Sequence, residues 1–109
     1  MSSSVVVEID SEEKLTEQLT KFAGVIVDFG AEWCGPCRTI KPYYHKLASQ
    51  HTSLSFCSVD IDHLQQLAEK FGVSSVPTFV MFLHGEEIRR FSGADKKKLN
   101  DLVNEAYTL

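Results

Sequence analysis

Along this chain, short apolar runs alternate with stretches in which apolar residues return every three or four positions. Residues 5–9 are rich in β-branched residues and predict a first strand. Leu15, Leu19 and Phe22 then recur at i, i+4 and i+7, one stripe of a helix. Asp10 or Ser11 can cap it, with Glu13 three residues after Asp10 as in a capping box, and Gly24 is expected to close it. Residues 25–29 are apolar except for Asp28, the pattern of a strand covered on both faces. After a short loop, residues 30–33, comes a helix with Ile40, Tyr44, Leu47 and Ala48 on one side. Pro36 falls in its first turn, where no N–H is needed. Pro42 lies deeper, where a kink rather than a stop is expected because the stripe resumes beyond it.

Residues 54–61 predict another strand, and Asp62 with Gln65 predicts the cap of the next helix. That helix carries Leu64, Leu67, Ala68 and Phe71 on one stripe, with Gly72 as its stop. Residues 77–83 and 87–91 predict two strands joined by a tight turn at His84-Gly85. Asp95 starts a last helix with Leu99, Leu102, Val103, Ala106 and Tyr107 on one face. The order β-α-β-α-β-α-β-β-α predicts an α/β fold with three layers, α/β/α, around a central mixed sheet. Strands separated by helices run parallel, and the hairpin adds an antiparallel edge. No repeat or linker divides the chain, so residues 1–109 are expected to form one domain. Open sheets of this kind place their sites at the carboxyl ends of strands.

Composition narrows the chemistry. Hydrophobic residues make up 43% and charged residues 24%, ordinary values for a globular domain. A net charge of −4 speaks against a general nucleic-acid binder, which needs a basic face. The one basic run, residues 96–98, reads as the solvated side of a helix. Residues 1–10 lack a targeting pattern and no apolar stretch reaches membrane-spanning length, so the expected address is cytoplasmic, with no membrane partner. Three cysteines are too few for a disulfide scaffold, and in a reducing compartment a close pair means metal or redox chemistry. A zinc site wants four ligands; there is no second C-x-x-C, and His45, His51, His63 and His84 lie scattered.

Redox chemistry remains. Cys34 and Cys37 have the spacing of a small reversible disulfide, and Cys34 stands where a helix begins. Unpaired N–H groups and the helix dipole there favour a thiolate, the nucleophile of disulfide exchange. Cys34 is therefore the expected attacker, and Cys37, one turn inside, the thiol that resolves the mixed disulfide. Asp28, interrupting an apolar strand, is either a strand-end residue reaching water or a buried acid/base serving Cys37. Cys57, outside the pair, reads as a small buried hydrophobe.

The segment Trp33-Cys34-Gly35-Pro36-Cys37 resembles the active-site motif of the thioredoxin family. The likeness extends over essentially the whole chain, through Val27-Asp28-Phe29, Lys41-Pro42, Val76-Pro77-Thr78-Phe79, Gly85 and Gly93. It implies the thioredoxin fold and a protein-disulfide reductase that binds no cofactor and draws electrons from NADPH through thioredoxin reductase. Its substrates would be disulfide-containing proteins, and the chain is expected to be a monomer. Pro77 matches the family's cis-proline, which shapes the groove for an extended substrate strand. The resemblance places Trp33, Gly35, Pro36, Val76 and Gly93 on a flat apolar surface around Cys34, and it makes Asp28 the acid/base. Two departures stand out. Ser58 occupies a position where many members carry a charged residue, often lysine, near the buried aspartate. Phe71 and Ser75 stand where some animal members carry further cysteines, so a dimer linked there is not expected. An oxidase or isomerase of the same fold usually differs between the two cysteines, whereas Gly35-Pro36 resembles the reducing branch. A redox-sensitive binding protein would share the surface and differ only in lacking turnover.

Overall fold

A computed structural model describes residues 5–108. Its strands and helices follow the expected order: β1 (Val6–Glu8), α1 (Glu12–Lys21), β2 (Gly24–Gly30), α2 (Gly35–Gln50), β3 (Ser55–Asp60), α3 (Gln65–Lys70), β4 (Thr78–Leu83), β5 (Glu86–Ser92) and α4 (Lys96–Thr108). The sheet runs β1-β3-β2-β4-β5, with β1, β3 and β2 parallel and β4 and β5 antiparallel. Among the described residues no helix is long and apolar enough to cross a membrane.

Side chains alternate across a strand, and here the alternation sorts the core into two halves. Ile26, Phe56, Phe79 and Met81 pack with Ile40, Tyr44 and Leu47 of α2 and with Leu99, Leu102 and Val103 of α4. Val25, Val27, Phe29, Cys57, Val59, Val80 and Phe82 pack on the opposite face with Leu15 of α1 and Leu67 of α3. Three layers result. By the same parity Asp28 shares the α2 face with Ile26, whereas Cys57 belongs to the other face. Register then sets Glu8, Ser58, Asp28 and Phe79 in one row across four strands.

Several local expectations are corrected. Ser11 alone caps α1, accepting from the Lys14 N–H at 3.1 Å, so the Asp10–Glu13 capping box does not form. The helix ends at Phe22, and Gly24 belongs to β2. A Cβ on Gly24 would lie 2.6 Å from Leu54 Cδ2, so close packing explains this glycine better than a helix stop. Leu64, expected within the third helix, is its N-cap residue and makes no side-chain cap; Asp62 does not supply one. Tyr107 is half exposed, its hydroxyl accepting from Ser53 Oγ at 3.1 Å and its ring beside His51. The remaining stop and turn signals behave as physics requires. Gly72 is left-handed at φ 65, and His84 and Gly85, at φ 50 and 82, form the two-residue turn whose twist suits a hairpin. Asp95 Oδ1 accepts from the Lys98 N–H at 3.0 Å, as a capping side chain does. The second helix passes through Pro42 without ending.

Candidate active site

The two cysteines sit where the parallel strands end. β2 finishes at Gly30, and four residues later Cys34 is the N-cap of α2, with Pro36 in the first turn. The Cys34 and Cys37 sulfurs form a disulfide across a Cα separation of 5.3 Å. Cys34 Sγ accepts the Cys37 backbone N–H at 3.1 Å, and the Arg38 N–H reaches the Cys34 carbonyl at 3.2 Å. A helix N-terminus carries unpaired donors and about half a positive charge. A sulfur capping it is therefore favoured as a thiolate once the disulfide is reduced.

Behind the disulfide lies a cavity of about 440 Å³. Asp28 and Ser58 form its sheet side, and Cys37, Lys41 and His45 form its helix side. Spaced by four along α2, these three share one face. Asp28 Oδ1 is shut off from solvent and has no hydrogen-bond partner among the described residues. Burial raises the Asp28 carboxyl from the usual 3.8 to about 7, and the charge of Lys41 opposes the rise. Gly30 keeps space between the Asp28 carboxyl and the Cys37 sulfur: a Cβ there would lie 3.4 Å from Cys37 Sγ and 3.6 Å from Asp28 Oδ1. Tyr44, fully buried beneath, directs its hydroxyl at the Ile26 and Cys57 carbonyls, at 3.0 and 2.7 Å.

The other predicted residues fall into two groups. Trp33 is 66% exposed and its Nε1 donates to Asp62 Oδ2 at 2.8 Å, so Asp62, expected as a helix cap, instead tethers the indole. Gly35 and Pro36 follow Cys34 along the chain, Pro36 exposed and Gly35 partly so. Val76 and Pro77, joined by a cis bond, form the second group with Gly93, whose N–H donates to the Pro77 carbonyl at 2.9 Å. Thr78 Oγ1 fastens this turn to the Ser75 carbonyl at 2.6 Å. Trp33 is tied to the segment after β3 and not to the Val76–Pro77 turn. Cys57 is unpaired and fully buried, its thiol raised to about 11 by burial, with Ser55 Oγ 3.5 Å away. Among the described residues no three His, Cys, Asp or Glu side chains gather as metal ligands would.

Sequence reasoning did not single out Gly30, His45 or Asp62 for the site, and it used Lys41 only as part of a motif. The spacing Cys37, Lys41, His45 was the available signal, since i, i+4, i+8 sets three side chains on one helix face.

Comparison with known proteins agrees with this geometry. The family model named Thioredoxin matches residues 5–105. The chain is 41% identical over 103 residues to a thioredoxin of Callithrix jacchus, covering 93% of this chain and 98% of that protein. It is likewise 41% identical over 104 residues to one of Ovis aries, with the same coverage. Among solved structures, a Plasmodium falciparum thioredoxin superposes with a TM-score of 0.88 at 33% identity, over 92% of this chain and 98% of that one. An Entamoeba histolytica thioredoxin gives 0.87 at 39% identity with the same coverage. The chain thus belongs to the thioredoxin family, and its Cys34–Cys37 pair makes it a thiol–disulfide oxidoreductase that reduces protein disulfides.

Proposed function

We propose that Cys34 is the nucleophile, Cys37 the resolving thiol and Asp28 the base that serves Cys37. The observation that carries the reading is the capping of α2 by Cys34 Sγ, which receives the Cys37 N–H at 3.1 Å. In the reduced protein that donor and the helix dipole stabilise the Cys34 thiolate. The thiolate attacks one sulfur of a substrate disulfide; the old S–S bond breaks, and the second substrate sulfur leaves as a thiolate. Cys37 then gives its proton to Asp28 and attacks Cys34 Sγ. The Cys34–Cys37 bond forms, the bond from Cys34 to the first substrate sulfur breaks, that sulfur leaves as a thiolate, and two electrons have passed to the substrate. Its thiolates take protons from water or from Asp28.

Trp33, Gly35 and Pro36 on one side, with Val76, Pro77 and Gly93 on the other, form the substrate-binding surface of this reading. Pro77, buried and hydrogen-bonded through its carbonyl to Gly93, sets the shape of the second side. The exposure of Trp33 supports contact with a partner, since a core filler would be buried. NADPH, acting through thioredoxin reductase, returns the pair to the dithiol, and the protein works as a cytoplasmic monomer. A coupled assay tests this: with the reductase and a protein disulfide present, NADPH should be consumed catalytically. Consumption no faster than without the chain would refute it.

A further inference from the structure

We propose that Lys41, which lines the cavity together with Asp28 one helical turn beyond Cys37, is a positioning residue for the resolving step, its charge holding Asp28 in the proton-accepting carboxylate form. The proposal rests on Asp28 serving Cys37 and says how this chain keeps that base usable without a cation at Ser58.

Ser58 stands directly beside Asp28 on β3, so the sheet offers no positive charge there. Acids are what it offers: Glu8 at the end of β1, in the same row, and Asp60 at the end of β3. Glu32, in the loop before the cysteines, adds a third at the rim. All three line the cavity, and none brings a positive charge to it. On α2, Arg38 is exposed and its guanidinium donates to the Glu32 carbonyl at 2.6 Å. Burial and Lys41 push the His45 imidazole below its usual 6.5 while Glu8 opposes them, so at neutral pH it adds little charge. Tyr44 keeps its proton, and its hydroxyl is occupied by two backbone carbonyls. Cys57 lies on the other face of the sheet. Lys41 is thus the cation positioned to favour the Asp28 carboxylate, and its attraction is the one that opposes burial.

The consequence is a matter of fractions. With its carboxyl near 7, Asp28 is about half ionised at neutral pH. Because Lys41 is exposed, its attraction is screened, of the size of roughly half to one pH unit. Losing it would cut the ionised fraction, and the rate of resolution with it, roughly two- to fivefold at neutral pH.

The test follows the Asp28 carboxyl carbon by NMR titration of the reduced protein and, separately, the rate of mixed-disulfide release against pH. Lys41→Met should move both midpoints to higher pH by that amount, and Lys41→Arg should restore them. In an Asp28→Asn background, Lys41→Met should leave the release profile where it was. An unmoved Asp28 titration, or an equal shift of the release profile without Asp28, would overturn the role of Lys41 alone. Normal release in Asp28→Asn would instead remove Asp28 from the step, and the proposal with it.

Discussion

Asp28 and Ser58 are register partners on adjacent parallel strands, so the buried carboxyl has a neutral hydroxyl-bearing residue beside it on the sheet, and Lys41, whose charge opposes the effect of burial, lines the same cavity from α2. That arrangement sets the pH behaviour of stability and, in the proposed mechanism, of resolution.

Stability comes first. The folded chain binds the Asp28 proton more tightly than the unfolded chain, since burial raises the carboxyl from 3.8 to about 7. The stabilisation from the neutral acid is complete below about pH 4 and is lost as pH rises through the folded value. Asp28→Asn should therefore be more stable than the parent at pH 8, by on the order of 1–3 kcal/mol, with the difference vanishing near pH 4. Urea denaturation at both pH values measures it. The same variant should resolve mixed disulfides more slowly while forming them at the normal rate.

Gly30 offers a second handle. Its added Cβ would touch Cys37 Sγ at 3.4 Å and Asp28 Oδ1 at 3.6 Å, ordinary contact distances, so Gly30→Ala should fold normally. It would fill the space between carboxyl and thiol and bury Asp28 further. The expected outcome is an unchanged melting temperature, within about 2 °C, with resolution slowed severalfold. Stopped-flow release kinetics beside a thermal melt separate the two.

Cys57 should be inert. It is fully buried on the face opposite Asp28, and burial raises its thiol to about 11. Mass mapping after brief alkylation of the native reduced protein should find Cys34 labelled at least about a hundredfold faster. Comparable labelling of Cys57 would point to a regulatory thiol.

Trp33 and Asp62 form a charge-assisted hydrogen bond at the surface, at 2.8 Å. Asp62→Ala should change stability by less than about 1 kcal/mol, because both residues are exposed. Freed from its tether, the indole should show lower fluorescence anisotropy. KM for a protein disulfide should rise, roughly two- to fivefold, with kcat little changed.

Much of this was legible in the residues, because period and punctuation carry it. The run around Asp28, the stripe Ile40, Tyr44, Leu47 and the His84-Gly85 turn each have one physical reading, and the structure bears those readings out. The errors fall where two readings compete. Asp62 looks like a cap, and only the fold reveals an indole within its reach. Gly24 looks like a helix stop, and only packing against Leu54 reveals a strand residue. Tyr107 has the helical spacing of a buried residue but lies near the end of α4, where the core runs out. The chemistry of the cysteine pair was local and could be read. The charge balance around Asp28 was not, since Lys41, Ser58 and Glu8 meet only through the crossing of β1, β2, β3 and α2.

The division of labour between the two cysteines is tested most directly by trapping. Cys37→Ser, reduced and mixed with a protein disulfide, should accumulate a stable mixed disulfide that peptide mass mapping places on Cys34. Cys34→Ser should capture almost nothing, since Cys37 lies inside the helix without its own cap. A partner held efficiently on Cys37 in Cys34→Ser, with none on Cys34 in the reciprocal variant, would contradict the account.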